Sequence, residues 1–476
     1  MAKTHSTGFP TASGVSFGTS GLRGPVAALT PEVVAAHARA FLTACCGPSP
    51  TVWLGHDLRP SSPDIAEALA QALVAGGARV VRAGALPTPA LALAAAGALD
   101  SAVMVTGSHI PADRNGIKFY KPGGEITKAD EHAITAALTA KISPGTPGQD
   151  TTAPRAAEDY LQRYQGAFGS RVLRGLKLGV YSHSAVGRDL LISLLRGLGA
   201  EVVELGRTDT FVPVDTEAVD AETRTLLRHW SRGLDAILST DGDGDRPLIA
   251  DASGAIVPGD ILGQITAKRL GATCVVTPVS SNSSVSERGF EDVRFTAIGS
   301  PYVLAAMAEA RRNVVGYEAN GGFILGFDAR GPRGTIPALM TRDAVLPMLT
   351  SLWAMQETGH SLADLAAKES LRHRSSALVR NVSAPASRAL LDAFTKQPAE
   401  TLAVAGLSRE AACDLTDGVR MTDGAGRVLH LRPSGNAPEF RIYTEAPTAA
   451  EAQEIADRAH GHLAQQLGTD RASKTP

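Results

Sequence analysis

The chain has 476 residues, 44% of them hydrophobic and 20% charged, which supplies several packed cores, excludes long disorder and by length suggests three or four domains. Lys and Arg (46) nearly balance Asp and Glu (48), and the net charge of −2 excludes the broad positive field of a general nucleic-acid or anionic-lipid binder. The four cysteines (Cys45, Cys46, Cys274, Cys413) have no metal or disulfide spacing, residues 1–14 lack an apolar signal core, and no apolar run reaches a membrane span, so a cytoplasmic protein with no nucleic-acid or membrane partner is expected.

Along the chain, Phe17-Gly-Thr-Ser-Gly-Leu-Arg-Gly24 is Gly-rich and ends in a cation. It is not a Walker loop, because no Gly-Lys-Ser/Thr follows, but Arg23 is a candidate phosphate contact. Thr51-Val-Trp-Leu-Gly55 reads as a buried strand. Ser61, followed by Pro63 and Asp64, starts a helix that stops at Gly76-Gly77. A strand (78–82), a helix near Ala90 and a strand Ala102-Val-Met-Val105 follow, and this alternation predicts a parallel or mixed sheet covered on both faces.

That last strand runs into Thr106-Gly-Ser-His-Ile-Pro-Ala-Asp-Arg-Asn-Gly-Ile-Lys118, at the usual place for a site in an α/β sheet. Gly107 leaves room for a phosphate beside Ser108, with His109 and Lys118 near. The G-x-S-x-G elbow of a serine hydrolase is missing, and an ordinary Ser/Gly turn is the bland alternative. Residues 143–154, rich in Pro, Gly and Thr, read as a linker. Beyond them the strand–helix–strand grammar repeats at 176–181, 187–198 and 200–203, and Gly199-Ala-Glu-Val-Val echoes Gly77-Ala-Arg-Val-Val, so a duplicated α/β module is expected.

Asp241-Gly-Asp-Gly-Asp-Arg246 follows the apolar strand Ala236-Ile-Leu. Residues two apart in an extended loop point the same way, and three aligned carboxylates repel unless a hard cation such as Mg²⁺ lies between them. An EF-hand fits poorly, since Arg246 and Ala252 stand where its Gly and Glu belong. A third unit begins near Ile256, with a strand Thr273-Cys-Val-Val276 and a helix over 301–311. Gly316-Tyr-Glu-Ala-Asn-Gly-Gly322 offers Glu318 and Asn320 to sugar hydroxyls, or is a polar turn. Past a boundary near Ser370, strands at 427–431 and 440–443 flank Arg432-Pro-Ser-Gly-Asn-Ala-Pro438, either a simple hairpin or an anion nest with a guanidinium. An amphipathic helix (449–467) closes this part, and 470–476 reads as a frayed tail.

In this order, the five loops resemble those of the α-D-phosphohexomutase family. The resemblance implies an α/β fold of three related α/β/α mixed-sheet domains plus a C-terminal α+β domain around a central cleft, at 1–150, 151–254, 255–369 and 370–476. It implies that Ser108 carries a transferable phosphate and that Asp241, Asp243, Asp245 and a phosphoserine oxygen bind Mg²⁺. Arg23 and Lys118 would support transfer, Arg246 would flank the phosphoserine, and Glu318 would hold the sugar. Arg432, Ser434, Gly435 and Asn436 would grip the non-reacting phosphate. It further implies a hexose phosphate substrate, a hexose 1,6-bisphosphate activator, and a monomer or homodimer. Ile110 departs from an Asn usual in the serine loop, and Asn436-Ala437 from a Thr-Glu in the phosphate loop. Gly322 stands where the sugar loop commonly ends in a histidine linked to proton transfer, which leaves Lys118 and His109 as candidate bases. The serine loop, the sugar loop and Phe211-Val-Pro-Val-Asp-Thr216 look like those of bacterial chains called phosphomannomutases, so mannose phosphate is the expected substrate and glucose phosphate the alternative. A non-catalytic sugar-phosphate binder and a Mg²⁺ phosphatase are the readings of other classes.

Overall fold

We describe the protein from a computed structural model, over residues 14–18, 21–139, 146–310, 312–409, 411–434 and 439–467. Three mixed sheets lie in sequence, of eight, four and five strands, and a five-stranded antiparallel sheet closes the chain.

The first three sheets share one topology. Numbering strands within each unit in chain order, the spatial order is 2-1-3-4, with the first three parallel and the fourth antiparallel. In the first sheet these are Thr51–His56, Arg79–Ala85, Ser101–Val105 and Arg114–Lys121. In the second they are Lys177–Tyr181, Glu201–Leu205, Ala236–Thr240 and Pro247–Asp251. In the third they are Cys274–Pro278, Asp292–Thr296, Val314–Tyr317 and Phe323–Leu325, extended by Leu339–Asp343. The Gly-Ala-x-Val-Val echo has a physical cause. Gly77 (φ 88°) and Gly199 (φ 99°) end the helices Ser62–Ala75 and Arg188–Gly197 in the left-handed region, and each chain then turns into its next strand.

Several expectations need correction. The stretch read as a linker contains a strand, Asp150–Thr152, which pairs with Arg79–Ala85 at the edge of the first sheet. Ser61 sits at its helix start but makes no side-chain cap, and its hydroxyl instead accepts from Asn115 Nδ2 (2.9 Å). The helix expected over 301–311 is Ser300–Ala308, with residue 311 outside the described residues, as are 470–476. Several helices escaped sequence reading, Gly259–Arg269 and Val345–Thr358 among them. Both are buried on most faces, so they carry no amphipathic period to read.

One apolar core joins the first three sheets. Leu91 and Met104 from the first unit, Tyr160, Leu191 and Leu238 from the second, and Ile261, Tyr317 and Leu349 from the third belong to it. The last sheet has its own core, built on Val379, Phe394, Leu402, Phe440, Ile442 and Leu463.

Candidate active site

In each of the first three units, the turn between the third and fourth strands carries a motif singled out above. These turns hold Ser108, Asp241–Arg246 and Glu318–Gly322 respectively. The shared topology therefore delivers three different loops to one place.

Ser108 has φ 54°, a left-handed conformation that costs a non-glycine residue about 1–2 kcal/mol. Its backbone is pinned to keep it there. Its N–H donates to Thr106 Oγ1 (2.8 Å), which in turn donates to Asp57 Oδ2 (2.7 Å). The fully buried Arg59 donates to four loop carbonyls, those of Ser108 (3.0 Å), Ile110 (2.5 Å), Pro111 (2.8 Å) and Arg114 (2.9 Å). Arg59 also stacks over the Phe211 ring at 4.1 Å from the second unit.

The Ser108 hydroxyl donates to Asp241 Oδ2 at 2.5 Å. So close an approach of the two loops needs Gly242, where a Cβ would lie 2.8 Å from the Ser108 carbonyl oxygen. Asp241, Asp243 and Asp245 are all fully buried, and one oxygen of each lies within 4.8 Å of the others. Two unit charges at ~4 Å repel by about 4 kcal/mol at an effective dielectric of ~20. Burial and the two neighbouring carboxylates accordingly push the Asp241 carboxyl well above its usual range. Asp243 Oδ1 and Asp245 Oδ1 are buried without a hydrogen-bond partner. Three hard oxygen donors with two lone-pair sites unclaimed fit a divalent cation of the Mg²⁺ type.

Cations crowd round this cluster. Lys118 Nζ donates to Asp243 Oδ2 and Asp245 Oδ2, each at 2.6 Å. Burial alone would pull its ammonium pKa down, but Asp243 and Asp245 outweigh burial and hold it above the ordinary value. Burial likewise works against an ionised Asp245, and Arg342, Lys118 and Arg246 override it, so its pKa falls below the usual range. Arg23 donates to the Gly107 carbonyl (3.2 Å), and burial together with Arg246 brings its pKa to about 10. Arg246 Nη1 donates to His109 Nδ1 (2.8 Å), and burial with Arg246, Arg23 and Arg441 pushes the His109 imidazole well below 6.5, which keeps it neutral. Arg342 ties the Asp241–Arg246 loop to the Glu318–Gly322 loop, donating to Asp245 Oδ2 (2.7 Å) and Glu318 Oε1 (3.1 Å).

A family model described as phosphoglucomutase/phosphomannomutase, alpha/beta/alpha domain I, matches residues 14–144. The corresponding models for alpha/beta/alpha domain III and the C-terminal domain match 251–371 and 387–461. The chain belongs to the phosphoglucomutase/phosphomannomutase family. It is similar to a phosphomannomutase of Sinorhizobium fredii, 44% identical over 92% of this chain and 97% of that one. A phosphomannomutase of Salmonella muenchen is 43% identical over 96% of this chain and 97% of its own. In fold it matches a phosphoglucomutase/phosphomannomutase family protein from Burkholderia thailandensis, with a TM-score of 0.73 at 22% identity, over 94% and 97% of the two chains. The chain is thus a phosphohexomutase, an isomerase of sugar metabolism built as four domains of the family type. Residues 145–250, between the first two matched stretches, carry the second 2-1-3-4 sheet. Among the described residues, no helix is long and apolar enough to cross a membrane.

The predicted residues fall into two groups in this phosphohexomutase. Ser108, His109, Lys118, Arg23, the three aspartates, Arg246 and Glu318 form one connected cluster, with Asn320 at its edge, where Asn320 Oδ1 accepts from Gly322 N–H (3.0 Å). Arg432 stands on the last sheet, where its Nε donates to Asp417 Oδ1 (3.0 Å), and Ser434 N–H closes the hairpin on the Glu439 carbonyl (2.8 Å). Gly435 and Asn436 lie outside the described residues. Asp57, Arg59, Thr88 and Arg342 were missed. Thr88 donates its hydroxyl to Asp243 Oδ2 (2.5 Å) from the helix Thr88–Ala98 of the first unit. Two signals were readable: Asp57-Leu-Arg59 directly after a buried strand, and the charged pair Arg342-Asp343 inside an apolar run.

Proposed function

We propose that this phosphohexomutase is a phosphomannomutase that interconverts mannose 6-phosphate and mannose 1-phosphate through phosphorylated Ser108. The observation that carries the reading is the Ser108 hydroxyl 2.5 Å from Asp241 inside a buried three-aspartate cluster. The mannose preference rests on the two phosphomannomutase relatives at 44% and 43% identity.

In the first half-reaction, the free hydroxyl of the hexose monophosphate attacks the phosphorus on Ser108. A new O–P bond forms, the Ser108 Oγ–P bond breaks, and the proton lost by the sugar hydroxyl ends on Ser108 Oγ. The hexose 1,6-bisphosphate so formed turns over in the cleft. Its other phosphoryl group then returns to Ser108 by the reverse exchange, and free bisphosphate can prime an unphosphorylated chain in the same way. Asp241, Asp243, Asp245 and a phosphoserine oxygen would hold Mg²⁺, which would neutralise phosphoryl charge. Such transfer depends on alignment and charge neutralisation more than on covalent help. Arg23, Lys118 and Arg246 supply further positive charge around Ser108. His109, whose Nδ1 lies 3.4 Å from Ser108 Oγ and also accepts from Arg246 Nη1, and Lys118 are the two candidate proton carriers. Glu318 holds sugar hydroxyls, while Arg432 with Ser434, Gly435 and Asn436 grips whichever phosphate is not reacting. A guanidinium reads phosphate and not the sugar position.

A coupled assay on mannose 1-phosphate and glucose 1-phosphate, with Mg²⁺ and a trace of bisphosphate, tests this. A kcat/KM at least several-fold higher for mannose 1-phosphate is expected. Equal values would remove the mannose preference, and free phosphate without isomerised sugar would replace the mutase by a phosphatase.

A further inference from the structure

Gly322 has an ordinary backbone conformation, so no turn geometry demands a glycine there. Its N–H donates to Asn320 Oδ1 (3.0 Å) and its carbonyl accepts from Glu318 N–H (3.2 Å), bonds that any residue could make. What excludes a side chain is Arg342. A Cβ at Gly322 would lie 2.7 Å from Arg342 Cδ, 3.0 Å from Cγ and 3.2 Å from Cβ. Arg342 reaches this place from the strand Leu339–Asp343, where Asp343 pairs with Phe323 directly after the sugar loop. It is 1% exposed, and its fork joins Asp245 Oδ2 (2.7 Å) to Glu318 Oε1 (3.1 Å). Position 322 therefore carries no side chain, and a guanidinium from the neighbouring strand fills the space above it.

We propose that Arg342 is a positioning residue for phosphoryl transfer: lying in the space that Gly322 leaves open, it fixes the metal-loop carboxylate Asp245 and the sugar-loop carboxylate Glu318 in one relation. This rests on the mutase reading above. A rigid planar fork holds two carboxylates at a fixed angle and spacing, whereas an ammonium can reach two, as Lys118 does, without fixing the angle between them, and an apolar chain reaches neither. The Arg342 Nε–H is buried without a hydrogen-bond partner among the described residues. The device is a cation that stays charged at every working pH.

The test compares wild type with Arg342→Met, which keeps volume without charge, and Arg342→Lys, which keeps charge without the fork. Turnover of mannose 1-phosphate and calorimetric affinity for glucose 1,6-bisphosphate are both read, with thermal midpoints as the folding control. Arg342→Met should lower kcat/KM by about 100-fold, the loss expected when reacting groups are misplaced by ~1 Å, and weaken bisphosphate binding, both read well below its thermal midpoint so that the variant is fully folded. Arg342→Lys should fall between Met and wild type on both readouts. If Arg342→Met matched wild type, or Lys and Met were equally impaired, the inference would fail. Should Arg342→Met not fold, Gly322→Ala decides: its methyl displaces only the arginine, so a tenfold or greater loss of turnover supports the inference and wild-type turnover refutes it. Absence of turnover by the wild type would instead overturn the mutase reading, and the bisphosphate affinities would then decide this inference alone.

Discussion

The first three domains and the fourth are joined by different physics. Domains one to three share a continuous apolar core, running from Leu91 through Tyr160 and Leu191 to Ile261 and Leu349. The fourth keeps its core to itself and meets the third through polar contacts. Arg374 Nη1 donates to Asp260 Oδ2 (2.5 Å), Ser283 Oγ to Glu445 Oε2 (2.5 Å), and Ile298 N–H to Asp417 Oδ2 (2.8 Å). Interfaces of that polar kind permit relative domain motion, whereas a shared core does not. The contrast suits the proposed mechanism, in which a bisphosphate intermediate turns over. The proposed reacting atoms sit on the rigid part, and the proposed phosphate grip sits on the part that can let go. Asp417 links the two functions, since it takes both the Ile298 N–H and the Arg432 guanidinium.

The largest effect belongs to the rigid part. Ser108→Ala should lower mutase turnover by more than ~10³-fold without moving the thermal midpoint, measured by the coupled assay and calorimetry. Next comes the shared core. Leu349→Ala should cost about 2–5 kcal/mol and lower one calorimetric transition common to the first three domains, whereas Phe440→Ala should cost about 3–5 kcal/mol and lower only the transition of the fourth. If the two variants shifted the same single transition, the division would be wrong. Smaller again, Arg374→Met should raise KM by roughly 10-fold with kcat nearly kept, because it loosens domain four without touching the reacting groups. A fall in kcat alone would show that this interface acts on chemistry.

The last expected effect is on stability and not on turnover, and concerns the rigid part in acid. Burial holds the fully buried His183 imidazole at about 4 against an ordinary 6.5, and its ring bonds to the Thr240 carbonyl at 2.9 Å. Between those values the unfolded chain binds a proton that the folded chain refuses. Stability contributed by this group is therefore full above about 6.5, falls as pH drops, and levels off below about 4, by about 3 kcal/mol in all. Denaturant titrations at pH 7 and pH 5 should show that His183→Asn flattens part of this slope; an unchanged slope would assign the acid sensitivity elsewhere.

What could be read from the sequence was whatever is written contiguously. Ser108 with its glycine neighbour, and three acids spaced two apart, announce their chemistry within a few residues. The glycine-ended helices before Ala78 and Ala200 betrayed the repeat for the same reason. Features that depend on pairing across the chain left at most a sign of their place and none of their partner. Asp57 and Arg59 act on a loop some 50 residues away, and Thr88 reaches Asp243 across 155 positions. The common 2-1-3-4 order is likewise a property of spatial neighbours, which no local pattern encodes. Arg342 shows the limit most clearly. The loss of a side chain at Gly322 was visible in the sequence, and the group that takes up its space was not.

The most direct measurement is intact mass with peptide mapping, after incubation of wild type and Ser108→Ala with glucose 1,6-bisphosphate and Mg²⁺. One phosphoryl group on the Ser108 peptide of wild type, absent from Ser108→Ala and removed by hexose monophosphate, is the expected result. A phosphoryl group on any other residue, or none in a wild type that still turns over, would contradict the central claim.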